Sequence, residues 1–148
     1  IRNSNVTHIK TDQVEVYLDR RELEGPASQP SIRAVTLVRA ALEDIKSIAR
    51  KNSIEPIVVV IPTKEMVYQE SFPEERLKNM VEGRYVTMLR LLQSTGIAYM
   101  DLLPALRAAR SEQLYFARDA HWNPRGNAVA AAALRDFMAA SDDSDFQK

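Results

Sequence analysis

Hydrophobic and polar residues alternate along this chain with two different periods, which predict strands and helices in turn. Val14, Val16 and Leu18 are separated by more polar residues, and this period of two is typical of a half-buried strand. The continuous run from Ile57 to Ile61 consists of β-branched residues and indicates a strand that is covered on both faces. Residues Ile97 to Leu102 predict another strand.

Apolar residues that recur every three or four positions predict helices between and after these strands. Ser31 can cap the first helix, which is expected to end at Asn52–Ser53. Gly96 suits the left-handed cap of the second helix, and Pro104–Arg110 predicts a further helical turn. The last helix is expected to span Pro124–Met138. The stripes of the first two helices are Val35, Val38, Leu42, Ile45 and Ala49, and Leu77, Met80, Val81, Tyr85, Met88 and Leu92.

This order of elements predicts an α/β fold, a three-layer sandwich around a mainly parallel sheet with helices on both faces. We expect Val58–Ile61 and Ile97–Met100 to form a parallel pair. The chain divides into an N-terminal strand and loop segment (residues 1–30), an α/β region (31–140) and an acidic tail predicted to be disordered (141–148). Functional residues collect at the carboxyl ends of the strands in such sheets.

Composition narrows the function classes. The 148 residues, 45% hydrophobic and 27% charged, are typical of one globular domain. Twenty basic and twenty acidic side chains cancel, so no general attraction to nucleic acid or an anionic membrane is expected. The chain has no cysteine, which excludes disulfides and thiolate chemistry. Its β-branched apolar run, Ile57–Ile61, is far shorter than the roughly 20 residues of a membrane-spanning helix.

The strongest chemical signal is the loop that contains Asp119 and His121. Both residues directly precede a helix that Asn123 can cap and Pro124 can begin. A carboxylate beside an imidazole fixes its tautomer and stabilises the cation formed on proton uptake, as a general base requires. We therefore predict a contact of roughly 2.6–3.2 Å between an Asp119 oxygen and a His121 ring nitrogen. The alternative is a structural loop histidine.

This segment resembles the last block of the SGNH hydrolases (GDSL-type esterases and lipases), in which an Asp-x(-x)-His pair precedes the final helix. The run His-Trp-Asn-Pro-Arg-Gly, from His121 to Gly126, is also similar to the sugar O-acetyltransferases of alginate and peptidoglycan modification. Ile61–Tyr68 and Gly96–Leu103 follow the order and spacing of those families. The resemblance covers residues 34–138.

The resemblance implies part of a serine esterase or O-acyltransferase domain that acts on acyl esters such as acetyl esters, with carbohydrate esters among the substrates. His121 would take the proton of a serine nucleophile, and Asp119 would orient the imidazole. Water as acceptor would make an esterase, and a sugar hydroxyl a transferase. No cofactor is implied, and the sugar-acylating relatives imply a location outside the cytoplasm.

The Gly-Asp-Ser nucleophile block of these families cannot be written in this chain. Its four glycines, at 25, 83, 96 and 126, are followed by Pro26, Arg84, Ile97 and Asn127. We therefore expect the chain alone to be inactive. The serine block precedes the Asp–His pair in the esterases and follows it in the alginate acetyltransferases. Because 118 residues precede Asp119 and 27 follow His121, we favour an upstream nucleophile.

Other polar residues are weaker candidates. Lys64 follows a strand end and could bind an anionic or sugar substrate, or could belong to a solvated turn. Trp122 is a candidate substrate platform, although a packing anchor fits it better. Asp101 is expected to accept hydrogen bonds from backbone N–H groups, and Arg118 to be exposed or to pair with a substrate carboxylate.

No metal site is expected, because His8 and His121 lie far apart in the sequence and Asp-x-His supplies only two ligands where zinc takes three or four. The rival interpretation is a non-catalytic binding or assembly domain on the same scaffold. Missing strands would leave a sheet edge exposed, and such an edge would pair with a second copy, as a homodimer, or with the missing part of the domain.

Overall fold

The structure is a computed structural model that describes residues 5–21, 31–75 and 83–145. Its elements, in chain order, are β1 (Val6–Lys10), β2 (Glu15–Asp19), α1 (Ile32–Lys51), β3 (Ile57–Val60), α2 (Lys64–Val67), α3 (Gly83–Thr95), β4 (Ala98–Asp101), α4 (Leu103–Ala108) and α5 (Pro124–Asp145). A 3₁₀ turn, Gln69–Ser71, follows α2. The predicted stripe residues Leu77, Met80 and Val81, and residues 146–148 of the tail, lie outside the described ranges.

The predicted parallel pair is present. β3 pairs with β4 in a register that places Val58 opposite Tyr99 and Val60 opposite Asp101. In the described ranges this parallel sheet has two strands, and β1 and β2 form a separate antiparallel sheet. The architecture is therefore mixed α/β with small sheets, which is coarser than the predicted three-layer sandwich around one mainly parallel sheet.

The N-terminal segment forms a hairpin of which only the second strand, β2, was predicted. Its tight turn is closed by Thr11, whose N–H donates to the Val14 carbonyl at 2.8 Å and whose hydroxyl accepts from the Val14 N–H at 3.0 Å. Val16 and Leu18 of β2 are fully buried. Among the described strands, β1 and β2 pair only with each other, so the hairpin does not add a strand to the parallel sheet.

The helix termini follow the local sequence signals. The Ser31 hydroxyl caps α1 by accepting from the Ala34 N–H at 3.2 Å, and Asn52 ends that helix. Gly96 follows α3 with a φ of 61°, the left-handed conformation that glycine adopts without strain. The prediction that the last helix ends at Met138 was wrong, because α5 continues to Asp145. Two alanines follow Met138, and neither glycine nor proline occurs between Met138 and Asp145.

A short helix, α2, follows β3 where the sequence allowed a solvated turn at Lys64. The Thr63 hydroxyl accepts from the Met66 N–H at 3.3 Å and thereby caps α2. All four residues of α2 are buried. The sequence signal for this helix was weak because Pro62, Thr63 and Lys64 together are also typical of a turn.

The core lies where the hairpin, α2 and α4 meet the segment before residues 116–121. Residues 116–121 carry the Asp119–His121 dyad and are called the dyad loop. Leu114 and Tyr115, directly before that loop, are 0% and 1% exposed. The largest fully buried side chains are Tyr68, Tyr115, Phe72, Leu18, Met66, Leu92, Leu106, Leu114, Val16 and Val67. The loop therefore starts from two buried residues. No helix within the described ranges combines the length and hydrophobicity needed to cross a membrane.

Gly126 allows the first turn of α5 to approach the backbone of residue 114 closely. A Cβ atom at position 126 would lie 2.2 Å from the Leu114 carbonyl oxygen and 3.1 Å from the Trp122 Cβ atom. These neighbours are a backbone atom and the root of a side chain, so neither can move aside cheaply. The position requires glycine on steric grounds.

We predict that Gly126→Ala lowers the free energy of unfolding by about 2 kcal/mol or more, the scale of overpacking in a well-packed interior. In an exposed helix interior the same change would stabilise by roughly 1 kcal/mol, so the predicted sign is diagnostic. Chemical denaturation measures the difference. The neighbouring, exposed Asn127 provides the control, since Asn127→Ala should change stability by no more than about 0.5 kcal/mol. A Gly126→Ala variant as stable as the parent would contradict the steric requirement.

Candidate functional site

The dyad loop, residues 116–121, folds back on itself between Tyr115 and Trp122. These two residues form an isolated antiparallel bridge. Inside the loop, the Phe116 N–H donates to the His121 carbonyl at 3.2 Å, and the Asp119 N–H donates to the Phe116 carbonyl at 3.3 Å. The backbone therefore holds Asp119 and His121 on one compact turn.

The predicted contact between Asp119 and His121 is present. Asp119 Oδ1 accepts from the His121 backbone N–H at 2.8 Å and is also hydrogen bonded to the ring Nδ1. Both contacts favour the carboxylate form, and they hold the pKa of Asp119 below its ordinary value. With Nδ1 bonded to Asp119, Nε2 is the ring nitrogen left for proton transfer.

The dyad is open to solvent, and a pocket adjoins it. The side chains of His121 and Asp119 are 86% and 56% exposed. His121 lines a shallow pocket of about 330 Å³ together with Ile61, Trp122 and Asn127. The imidazole is therefore not buried against the alanine-rich helix α5, the placement that the structural alternative would favour.

The loop lies at the carboxyl end of β3, where the topology predicted functional residues. The Tyr115 hydroxyl is 3.4 Å from the Pro62 carbonyl oxygen just beyond that strand. The Lys64 ammonium, at the start of α2, donates to the carbonyl of Asp119 at 3.0 Å and to that of Ala117 at 3.4 Å. Two residues that follow β3 thus contact the segment that carries the dyad.

Lys64 is 4% exposed, so the solvated-turn alternative was wrong. Burial lowers the pKa of the Lys64 ammonium, an effect that the nearby carboxylates of Glu65 and Asp119 oppose. Glu65 is also buried, and its Oε1 accepts from the Asp19 N–H of β2 at 3.1 Å. Lys64 remains a predicted substrate-binding residue, but its ammonium faces loop carbonyls.

Side chains satisfy the backbone on both sides of the loop. The Tyr68 hydroxyl donates to the Glu112 carbonyl and accepts from the Leu114 N–H, both at 3.0 Å. Asn123 caps α5 as predicted, since its Oδ1 accepts from the Gly126 N–H at 2.9 Å. Its Nδ2 also donates to the backbone carbonyl of residue 113 at 2.7 Å. One asparagine therefore joins the helix start to the segment before the loop.

The remaining candidates have distinct environments. Asp101 Oδ1 accepts from the Leu103 N–H at 2.8 Å, as expected, and also from the Tyr85 hydroxyl, whose pKa rises because it is buried beside this carboxylate. Trp122 is half-buried, packs against the core and lines the pocket beside His121, so it serves as an anchor at the pocket wall. Arg118 is exposed, and its Cζ lies 5.0 Å from the centroid of the Tyr17 ring.

A second groove of about 590 Å³ lies next to the dyad loop, lined in part by Tyr17, Lys64, Arg118 and Ala120. The Tyr17 ring stacks on the ring of His8 at a centroid distance of 4.3 Å. Sequence reasoning missed Tyr17 as a site residue, because the stacking depends on the pairing of β1 with β2. The only available signal was an aromatic residue within a predicted strand.

The described residues supply neither a nucleophile nor a metal site beside the dyad. No serine from the described part lines the pocket next to His121, and Ser111 lines a different pocket with Tyr68 and Arg110. No cluster of three or more potential metal ligands occurs within the described ranges. The arrangement can orient an imidazole and move a proton.

Comparison with known proteins agrees with this geometry. Residues 15–148 match the family model described as the SGNH hydrolase-like domain of the acetyltransferase AlgX. The chain is 28% identical over 101 residues to the probable alginate O-acetylase AlgJ of Azotobacter vinelandii, which covers 68% of this chain and 26% of that protein. It is 26% identical over 96 residues to the AlgJ of Pseudomonas syringae pv. tomato, covering 64% of this chain and 25% of that protein.

The AlgJ of Pseudomonas putida is 24% identical over 100 residues, covering 67% of this chain and 26% of that protein. The chain therefore spans about a quarter of the length of these relatives. No solved structure gives a significant match. The family match includes β2, the dyad loop and α5, and it confirms the resemblance found in the sequence. This chain belongs to the SGNH hydrolase-like family of the acetyltransferase AlgX, in the alginate O-acetyltransferase branch.

Proposed function

We propose that this chain is the Asp–His part of an alginate O-acetyltransferase domain, in which His121 is the general base and Asp119 orients it. The observation that carries the proposal is the Asp119–His121 contact beside a pocket at the carboxyl end of β3. Family membership and the names of the AlgJ relatives support acyl transfer to alginate. In the complete domain, further strands would extend the β3–β4 pair into the predicted three-layer sandwich.

In the proposed reaction the His121 imidazole takes up a proton and returns it twice, once in each of two steps. A serine attacks the acetyl donor while His121 Nε2 takes the hydroxyl proton, which gives an acetyl-serine and releases the leaving group with that proton. A sugar hydroxyl then gives its proton to the same nitrogen as it attacks the acetyl carbonyl. The serine leaves and recovers the proton. Asp119 stabilises the imidazolium in both steps.

The nucleophile would come from outside residues 1–148. The sequence alone favoured an upstream serine, but family membership supports the order of the alginate acetyltransferases, in which the serine block follows the Asp–His pair. We therefore propose a downstream serine. The part of the protein that carries it would adjoin the exposed face of His121 and Asp119. This intramolecular partner is our proposal in preference to a homodimer, and a location outside the cytoplasm remains a prediction from the relatives.

The groove beside the loop suits an anionic sugar chain. Alginate is a polymer of uronic acids, so each unit carries a carboxylate. Arg118 lies at this groove with its guanidinium over the Tyr17 ring, and its Nη2 donates to the Tyr17 hydroxyl at 3.5 Å. The other N–H groups of this exposed side chain would bind the ligand. Guanidinium groups bind carboxylates through paired hydrogen bonds. Arg118 would therefore hold a uronate next to the acetyl-accepting unit.

We predict that His121→Ala lowers kcat for acetyl transfer by about 10³-fold in the complete protein, within the range for loss of a general base. The assay uses an activated acetyl ester as donor and alginate oligosaccharide as acceptor. The only other histidine, His8, gives a matched control: it stacks on Tyr17 outside the dyad, and His8→Ala should leave kcat within a few-fold of the parent.

Residues 1–148 alone should show no turnover in this assay, because the pocket beside His121 contains no serine from the described part of the chain. Turnover by this fragment that depends on His121 would show that it contains a nucleophile, and Ser111 would be the first to substitute. A complete protein that binds alginate but transfers acetyl groups equally well without His121 would favour the non-catalytic binding domain.

We predict that Arg118→Gln raises the KM for alginate oligosaccharide about tenfold with little change in kcat, the scale of one charge-assisted hydrogen bond. The KM for a neutral acetyl donor should not change. Arg135, exposed on α5 and paired with Asp136, is the control, and Arg135→Gln should leave both constants unchanged. Equal losses with neutral and anionic acceptors would contradict a carboxylate-binding role.

A further inference from the structure

Lys64 is a buried cation whose hydrogen bonds are directed at the backbone of the dyad loop. The residue is 4% exposed, and a buried ammonium is costly unless it is hydrogen bonded. Two of its three N–H donors are used by the carbonyls of Asp119, at 3.0 Å, and Ala117, at 3.4 Å. Its position at the first residue of α2, behind the Thr63 cap, fixes where the side chain starts.

We infer that Lys64 is a positioning residue: its ammonium holds the Ala117 and Asp119 carbonyls and so fixes the loop in the conformation that joins the Asp119 carboxylate to His121. This role for the loop rests on geometry alone. Its meaning for catalysis rests on the proposed function, in which the same carboxylate orients the general base.

The contacts of Ala117 explain why one side chain can control the loop. The Ala117 carbonyl also accepts from the Tyr17 N–H of β2 at 2.9 Å. Lys64 therefore links α2, the hairpin and the loop at a single carbonyl. The other side of the loop faces solvent, where Asp119 and His121 are more than half exposed. Without Lys64 the Ala117 carbonyl would keep the Tyr17 N–H, but the Asp119 carbonyl would turn to water.

Charge supports the same role. The Lys64 ammonium lies near the Asp119 carboxylate and contributes to the lowered pKa of Asp119, after the larger contributions of the His121 N–H and imidazole. The charged groups that face Lys64 are the carboxylates of Glu65, on α2 itself, and Asp119, on the loop. A substitution that frees the loop should weaken both the backbone contact and the favourable charge. The titration of the Asp119 carboxyl therefore reports directly whether Lys64 holds the loop.

The test is NMR titration of ¹³C-labelled aspartate carboxyls in the complete protein, with the Asp119 signal assigned by Asp119→Asn. We expect Lys64→Met to raise the Asp119 titration midpoint, because the nearby cation is lost and the loop is freed, and to speed hydrogen exchange at the His121 amide. Lys64→Arg, which keeps the charge and the donors, should retain most of the low midpoint. Lys64→Gln, which keeps donors without charge, should lie between them and provides a second measurement if Lys64→Met does not fold.

The matched control is Lys46, a lysine of α1 whose ammonium also donates to a backbone carbonyl, that of Thr95, far along the chain from the loop. Lys46→Met should leave the Asp119 midpoint unchanged. An unchanged midpoint in Lys64→Met and Lys64→Gln, or an equal change in Lys46→Met, would overturn the inference. Neither measurement needs enzymatic activity, so failure of the positioning role of Lys64 and failure of the proposed function are distinguishable.

Kinetics of the complete protein separate positioning from substrate binding. A positioning role predicts that Lys64→Gln lowers kcat at least about tenfold, as expected when a general base loses its geometry. The KM for alginate oligosaccharide should stay within about twofold, since the ammonium faces the loop. A raised KM with an unchanged kcat would instead make Lys64 a substrate contact and contradict the inference.

Discussion

The site depends on the need of an irregular backbone for hydrogen-bond partners. Residues 112–123 run between two helices without joining a sheet, apart from the single bridge of Tyr115 and Trp122. Buried N–H and C=O groups in such a segment need partners that a sheet ladder would otherwise supply, and side chains provide several of them. Tyr68 and Asn123 do so next to the core, and Lys64 does so under the loop. The dyad is therefore placed by polar side chains of neighbouring elements.

This way of holding a loop has an electrostatic consequence. Burying Lys64 removes much of its hydration, which is unfavourable, and the two loop carbonyls offset only part of that cost. The same cation favours the ionised form of Asp119, the form that can stabilise an imidazolium. A neutral residue at position 64 would avoid the desolvation cost and lose this support. Under the proposed function, the position gives up local stability for a carboxylate that supports a protonated His121.

The sequence predicted the elements whose signals are local. The β-branched run of β3, the Ser31 and Asn123 caps and the left-handed Gly96 each follow from a few adjacent residues. The contact between Asp119 and His121 was also predictable, because the two residues lie on one turn.

What the sequence did not predict depends on distant contacts. β1 was missed because its strand character becomes clear only when it pairs with β2. Lys64 contacts loop carbonyls about fifty residues away, and Gly126 packs against the backbone of a residue twelve positions away. No local pattern encodes such contacts. The helix α2 was missed because its capping threonine follows a proline that is equally typical of a turn. The exposure of the dyad to solvent likewise follows from tertiary structure.

This exposure bears on mechanism. Water screens the attraction between a carboxylate and an imidazolium, so Asp119 supports a protonated His121 weakly while both remain exposed. A domain part that covered this face would strengthen that attraction as it delivered the serine, because both effects require the removal of the same water. Completion of the site and activation of its base would then be a single event.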